Sequence, residues 1–545
     1  MAHTNTPAQE ADTTPSTPAT TPETSQSLAM SLISRSHHLI AEIDTFQSLL
    51  LQTQRNPQVV EARTLRSSVA SELKTLEKLG RQLETAAAAA AATDDGGADG
   101  ASDVERRVMH SLRSSNLPFY EAVWTVARRS CSGLVAFGKR FYWEKDGGRM
   151  VVDGGEDGRK RPDLDKRRSV YVDIVADDGE EWVKVSTVSE SRLLFEMAKK
   201  GWEGDSEEGS DGEDGVGRTV LRNHEGDGDG DESEDEDDEI ELVKLASDMR
   251  KAANATRVQY RHPRLRLVVP KLEKGRSSEI DDLLKLIRSY GVEIDCGPSV
   301  LGPCPGGQPG TTPEDLRHLL PTPFKRFTPT LNVDCTLLLA AVSDLSHFKD
   351  IHLSNNFHRA ILRQLEVERE RPLLPTELWP AMDGHEMVCT EEAMKRMREI
   401  VSIIGTDTEK RRTEILMGDG PYGGCDRQSL IQKFQELSDF EIPPQWKLPI
   451  RPVDAGPAIE AAIAQGSLPP ISHKITEILS DINYSVFMYG WVTGTVTISS
   501  NRTVVKQIEA IIEAHRDNDE ELEGPLVWVC ETARSLVGKE KDRKN

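Results

Sequence analysis

The sequence predicts an α/β protein: a layered C-terminal α/β domain, preceded by a second α/β domain and an N-terminal helical hairpin. Three observations carry that prediction. The stretch Leu331 to Ser346, LNVDCTLLLAAVSDLS, reads as a short buried strand running into a helix that is apolar almost all round. Such a pair belongs inside a sheet covered on both faces. Beyond it, short apolar strands and amphipathic helices alternate towards the C-terminus. Before it, PRLRLVVP, SSEIDDLLKLIRSY and VEIDC spell a strand, a helix closed by Gly291 and a second strand. That βαβ order implies parallel pairing.

From the N-terminus, residues 1–26 are mostly Thr, Pro, Ser and Ala, a composition that predicts a disordered tail. Leu32, Ile33, Leu39, Ile40, Ile43, Phe46, Leu49 and Leu50 then fall on one helical stripe, and Arg55-Asn56-Pro57 breaks it. A second stripe through Leu65, Val69, Leu73, Leu76, Leu79 and Leu83 completes a helical hairpin over 27–92. It reads as a packing arm, with a partner-binding coiled coil as the alternative. TDDGGADGASD, at 93–103, is read as a linker.

The first α/β domain covers 104–300. Helical pieces over Val104 to Leu112 and Tyr120 to Arg129 precede an extended GLVAFGKRFYW. The strands SVYVDIVA and EEWVKVSTV are joined by the turn Asp177-Asp178-Gly179 as a hairpin. Residues 203–239 interrupt the domain as an acidic, disordered insertion. Residues 301–329, rich in Gly and Pro, are read as a linker. In the C-terminal domain, 330–541, the expected order after Asp334 is a charged helix Asn356 to Glu370, strand HEMVC, a helix from Thr390, strand KLPIRPV and helical pieces around Ala458 and Ile475. Strands SVFMYGW and TVTIS, a helix Asn501 to Ala514 and strand PLVWVCE follow.

The chain has 545 residues and a formal charge of −24, and 37 % of its residues are hydrophobic. More than one domain is expected at roughly 100–200 residues each. The charge is mostly local: Glu203 to Glu241 hold 19 acids against Arg218 and Arg222, a net −17. The remaining −7 neither invites nor excludes nucleic acid. The seven cysteines (131, 296, 304, 335, 389, 425 and 530) form no CxxC pair, so reduced thiols in cytoplasm or nucleus are expected. No apolar run approaches the roughly 18–20 residues that span a bilayer, and no secretory leader is visible, so no membrane partner is expected.

Carboxylates at strand ends are the first functional candidates. Asp334 ends a strand beside a helix N-terminus, with Thr336 as the expected cap, and α/β sheets place ligands at such ends. Glu391 and Glu392 follow HEMVC, where first-turn acids also serve simply to complement the helix dipole. Acids from neighbouring parallel strands can share Mg²⁺ or Mn²⁺.

Other motifs are better explained structurally. Asp173 and Lys184 suggest a restriction-endonuclease-like strand pair, but Trp182 stands where the second acid belongs. Asp227, Asp229 and Asp231 alternate like a calcium loop, yet Glu232 replaces the required glycine. Ser206, Ser210 and Ser233 precede acids and suit an acidophilic kinase. GPCPGGQPG lacks the lysine of a phosphate loop, and YGGCDR has no local histidine to activate its cysteine.

LNVDCTLLLAAVSDLSH resembles the opening strand and helix of PIN-like nuclease domains, whose first metal-binding aspartate lies in an Asp-x-Thr/Ser setting. More broadly, five segments resemble the eukaryotic family catalogued as domain of unknown function 1308. They are VDIVADDGEEWVKV, LNVDCTLLLAAVS, LEVERERPLLP, MVCTEEAMKRM and VFMYGWVTGTVTISSNRTVV. They extend over roughly 105 to 541, the acidic insertion excluded. That family label implies no activity.

The PIN-like resemblance implies a divalent-metal-dependent ribonuclease acting on single-stranded RNA. Asp334, Glu391 and Glu392 would be its catalytic acids, and Asp334, Glu392 and Asn501 its ligands to Mg or Mn. Asn501 stands where a late aspartate is wanted, so the acidic site reads as degenerate. The rival reading is a non-catalytic intracellular interaction protein that keeps the PIN-like fold, with protein partners met through the acidic insertion or the helical hairpin. A third is a small-ligand binder at the sheet's carboxyl edge. The number of carboxylates gathered at Asp334 discriminates among them.

Overall fold

The computed structural model describes residues 24–53, 60–92, 98–144, 167–201, 239–302, 312–351, 359–517, 519–530 and 536. All of the expected acidic insertion but Glu239 lies outside them, as do most of the N-terminal tail, the break at Arg55 to Pro57 and much of both linkers. The chain divides into two compact units: Met1–Asp44 with Arg63–Glu121, and Thr45–Ala62 with Ala122–Asn545.

Four helices open the chain: α1 (Ser25–Thr53), α2 (Arg63–Ala92), α3 (Ala98–Arg113) and α4 (Leu117–Ser130). In the first unit the two expected stripes are buried at Leu32, Leu39, Ile43, Val69, Leu73 and Leu76. Arg66 Nε donates to Asp44 Oδ1 at 2.5 Å, tying α2 to α1. Glu72 accepts from the Ser115 hydroxyl at 2.6 Å and the Asn116 N–H at 3.1 Å. The expected linker 93–103 is shorter than read, because helix α3 already starts at Ala98.

The second unit holds two five-stranded sheets. The first comprises β1 (Ala136–Glu144), β2 (Arg167–Ala176), β3 (Glu181–Val185), β4 (Arg264–Val269) and β5 (Val292–Cys296), in that spatial order. The β1–β2 and β2–β3 pairs are antiparallel, whereas β3–β4 and β4–β5 are parallel. The hairpin turn and the βαβ unit therefore stand where expected. Helices α5 (Glu190–Lys199), α6 (Glu241–Asn254) and α7 (Ser278–Ser289) supply buried apolar side chains to this sheet's core.

The second sheet begins with β6 (Thr330–Val333), followed by α8 (Cys335–Val342), α9 (Asp344–His347), α10 (Arg359–Glu370), α11 (Trp379–Met382), β7 (Glu386–Thr390), α12 (Glu391–Ile404), α13 (Asp407–Met417), α14 (Arg427–Gln435) and β8 (Arg451–Val453). It closes with α15 (Gly456–Gln465), α16 (Ser472–Ile478), α17 (Asp481–Thr493), β9 (Val496–Ser499), α18 (Arg502–Ala514) and β10 (Val527–Val529). Every pair in this sheet is parallel, in the order β10-β9-β6-β7-β8. Leu331, Val333, Leu337, Leu338, Ala340 and Val342 are fully buried, as the apolar strand-to-helix stretch demands.

One element differs in kind from expectation. SVFMYGW is not a strand but the body of α17, capped by the Ser480 side chain at one end and by left-handed Gly494 at the other. It packs so closely on β9 that a Cβ at Gly490 would lie 2.1 Å from Thr497 Oγ1.

The two sheets are joined by contacts on both chain sides. Lys325 Nζ meets Asp177 at 2.6 Å, and Arg257 reaches Glu520 at 2.6 Å. Tyr260, 8 % exposed, joins the apolar cluster of Ile475, Phe487 and Ile508, and its hydroxyl donates to the Pro525 carbonyl at 3.3 Å.

Candidate functional site

The second sheet's strand order fixes where a site can lie. From β6 the chain moves to β7 and β8 on one side, then returns to β9 and β10 on the other. The carboxyl ends of β6 and β9 therefore flank a reversal of strand order, where open parallel sheets offer a crevice. Asp334 follows β6 and Ser499 closes β9, so residues 165 apart in sequence meet there.

Asp334 is 2 % exposed. Its Oδ2 accepts from the Ser499 hydroxyl at 2.6 Å and from the Thr336 hydroxyl at 2.7 Å. Each hydroxyl in turn accepts a backbone N–H: Asn501 onto Ser499 at 2.9 Å, and Ser500 onto Thr336 at 3.1 Å. A hydroxyl has one hydrogen to give, and here both are directed at the carboxylate. The N–H groups of Cys335 and Thr336 act on the same carboxylate. Thr336 thus does not cap α8 as expected; the helix starts at Cys335, and the Thr336 side chain turns back to Asp334.

Of the other expected site residues, Asn501 joins this knot through its backbone N–H. Glu391 and Glu392 are exposed in the first turn of α12. They line a surface depression of ≈ 640 Å³ with Met394, Lys395, Arg398 and Ser402. Thr390, which caps α12, is buried and shares a hydrogen bond of 3.0 Å with Ser485. Asn501 caps α18, its Oδ1 accepting the Val504 N–H at 3.4 Å, and its Nδ2 stands 3.5 Å from Asn483 Oδ1.

Among the described residues, no group of three or more His, Cys, Asp or Glu is arranged to hold a metal ion. The donors gathered here are one carboxylate, two hydroxyls already donating to it, and an amide oxygen engaged as a helix cap. A hard divalent cation instead wants several free oxygen ligands, most of them charged. The donor set does not suit Mg²⁺ or Mn²⁺.

Burial pushes the Asp334 carboxyl above its ordinary value, with the Ser499 and Thr336 hydroxyls pulling the other way. The fold therefore favours the neutral acid. Its contribution to stability is complete below the unfolded-state pKa and is lost as pH rises through the raised value. An amide cannot ionise, so wild type should lose stability relative to Asp334→Asn as pH rises from below the unfolded-state pKa through the raised one. Urea denaturation of both proteins across that range measures the slope. A bound cation would favour the ionised form and reverse its sign.

No local pattern distinguishes Ser499, although TISSN places hydroxyls directly after an apolar strand. The polar pair beneath it was equally hidden. Asn332, in the middle of β6, donates to the Val486 carbonyl at 2.8 Å and to Thr497 Oγ1 at 3.0 Å.

Residues 331–419 match the family described as "Protein of unknown function (DUF1308)". The match begins in β6 and ends just after α13, so it includes Asp334, Glu391 and Glu392. Neither a curated protein nor a solved structure gives a significant match. No described helix is long and apolar enough to cross a membrane.

Proposed function

We propose that the C-terminal domain is a PIN-like domain that keeps the fold of such nucleases and acts as a non-catalytic interaction module. The adjacency of β6 and β9 supports the PIN-like part, because it brings Ser499, two residues before Asn501, onto Asp334 at the carboxyl edge. The observation that carries the non-catalytic part is the hydrogen bonding of Asp334. Its carboxylate is buried and joins the ends of two strands through Ser499 and Thr336. Taking it as a metal ligand means breaking those links.

Phosphodiester cleavage by metal ions needs a clamp that stabilises both the attacking and the leaving oxygen. Among the described residues, no three His, Cys, Asp or Glu side chains group to make one. The test is incubation of the full chain with labelled single-stranded RNA and Mn²⁺ or Mg²⁺. The expected result is intact RNA with wild type and Asp334→Asn alike. Cleavage that Asp334→Asn abolishes would establish the nuclease reading instead.

A further inference from the structure

The antiparallel edge of the first sheet carries a second surface, remote in sequence from Asp334. β1 is the outermost strand of that sheet. Its Arg140 and Tyr142 stand directly across from Tyr171 and Ser169 of β2. Directly opposed residues share a face, and alternate residues of one strand do as well, so the two tyrosines lie diagonally next to each other. Phe141, between Arg140 and Tyr142, stacks on buried Trp182 with ring centres 3.6 Å apart.

Both tyrosines remain open to solvent, Tyr142 at 54 % and Tyr171 at 38 %. The Arg140 guanidinium lies 5.8 Å from the Tyr171 ring centre, and Lys184 Nζ lies 5.2 Å from it. Lys184 is held in place: its ammonium donates to Asp173 at 3.0 Å, and Asp173, 3 % exposed, also accepts the Val185 N–H at 2.8 Å. The surface thus presents two neighbouring aromatic rings flanked by Lys184, held by Asp173, and by the exposed Arg140.

We infer that this face binds single-stranded nucleic acid, its bases stacking on Tyr142 and Tyr171 and its phosphates meeting Arg140 and Lys184. Unstacked bases offer the flat π-surfaces that exposed rings accept, and the phosphodiester backbone supplies the complementary charge. An acidic peptide would answer the cations and leave the rings unused. A duplex keeps its bases stacked inside. The chain's net charge of −24 does not oppose the assignment, because 19 of its acids lie in Glu203 to Glu241.

The inference is tested on the full chain by fluorescence anisotropy with a labelled mixed-sequence single strand of about 12 nucleotides, within the usual range of single-strand site sizes. Saturable binding is expected, with unlabelled duplex a poor competitor. Tyr142→Ala and Tyr171→Ala should each raise Kd about tenfold, the size expected of one lost base stack. Tyr142→Phe and Tyr171→Phe keep the ring and should bind like wild type. Arg140→Glu should weaken binding and flatten its salt dependence, since one phosphate contact is lost. Absence of saturable binding, equal competition by duplex, or affinity unchanged in both alanine variants would overturn the assignment.

Discussion

Replacing Asp344 by alanine should destabilise the protein by about 3–5 kcal/mol, because it leaves a buried guanidinium without its counter-ion. Arg412 is 0 % exposed. It donates to Asp344 Oδ1 at 2.6 Å, to the Val342 carbonyl at 3.0 Å, and through Nε to the Leu437 carbonyl at 2.9 Å. The cation therefore ties the ends of α8 and α14 to the start of α9. Asp344 is shared, accepting from the Thr406 hydroxyl at 2.6 Å and the Thr408 hydroxyl at 2.7 Å. His347 packs nearby and is neutral: burial and Arg412 hold its pKa well below the ordinary value, and its ring bonds the Ala341 carbonyl and Ser438 Oγ. Urea denaturation measures the loss. The double variant Asp344→Ala, Arg412→Met should recover part of it, since an apolar side chain needs no partner. A single-variant loss below about 1 kcal/mol would mean that the pair is not an anchor.

Asp334→Ala should also be costly, by about 2–4 kcal/mol, for a different reason. It leaves the Ser499 and Thr336 hydroxyls, and the N–H groups they organise, without the acceptor that joins β6 to β9. Asp334→Asn retains an acceptor oxygen and should cost much less. The comparison separates two roles, because functional carboxylates are commonly held at some cost to stability and their removal is often neutral or stabilising. Thermal melts in which Asp334→Ala matches or exceeds wild type would argue for a strained functional acid.

Much of this architecture was legible where local signals agreed. The strand and helix around Asp334 were readable because apolar residues fill both, and the Asp177 to Gly179 turn because short polar residues separate two alternating runs. SVFMYGW is ambiguous in sequence, because a short apolar run rich in aromatics fits a buried strand or a buried helix equally well. Its helical state is decided by the Ser480 cap and by close packing of Gly490 on Thr497. At the site, Asp334 was visible as a charge ending an apolar strand. Its partner Ser499 was not, because that pairing depends on β9 returning beside β6. Glu391 and Glu392 occupy first-turn positions where acids serve the helix dipole, and the structure leaves them exposed. Tyr142 and Tyr171 become neighbours only through the β1–β2 register, which no single segment encodes.

Calorimetric titration of Mn²⁺ into the full chain tests most directly whether Asp334 is a structural carboxyl. No saturable heat should distinguish wild type from Asp334→Asn. Stoichiometric Mn²⁺ binding to wild type that disappears in Asp334→Asn would contradict it and make Asp334 a metal ligand.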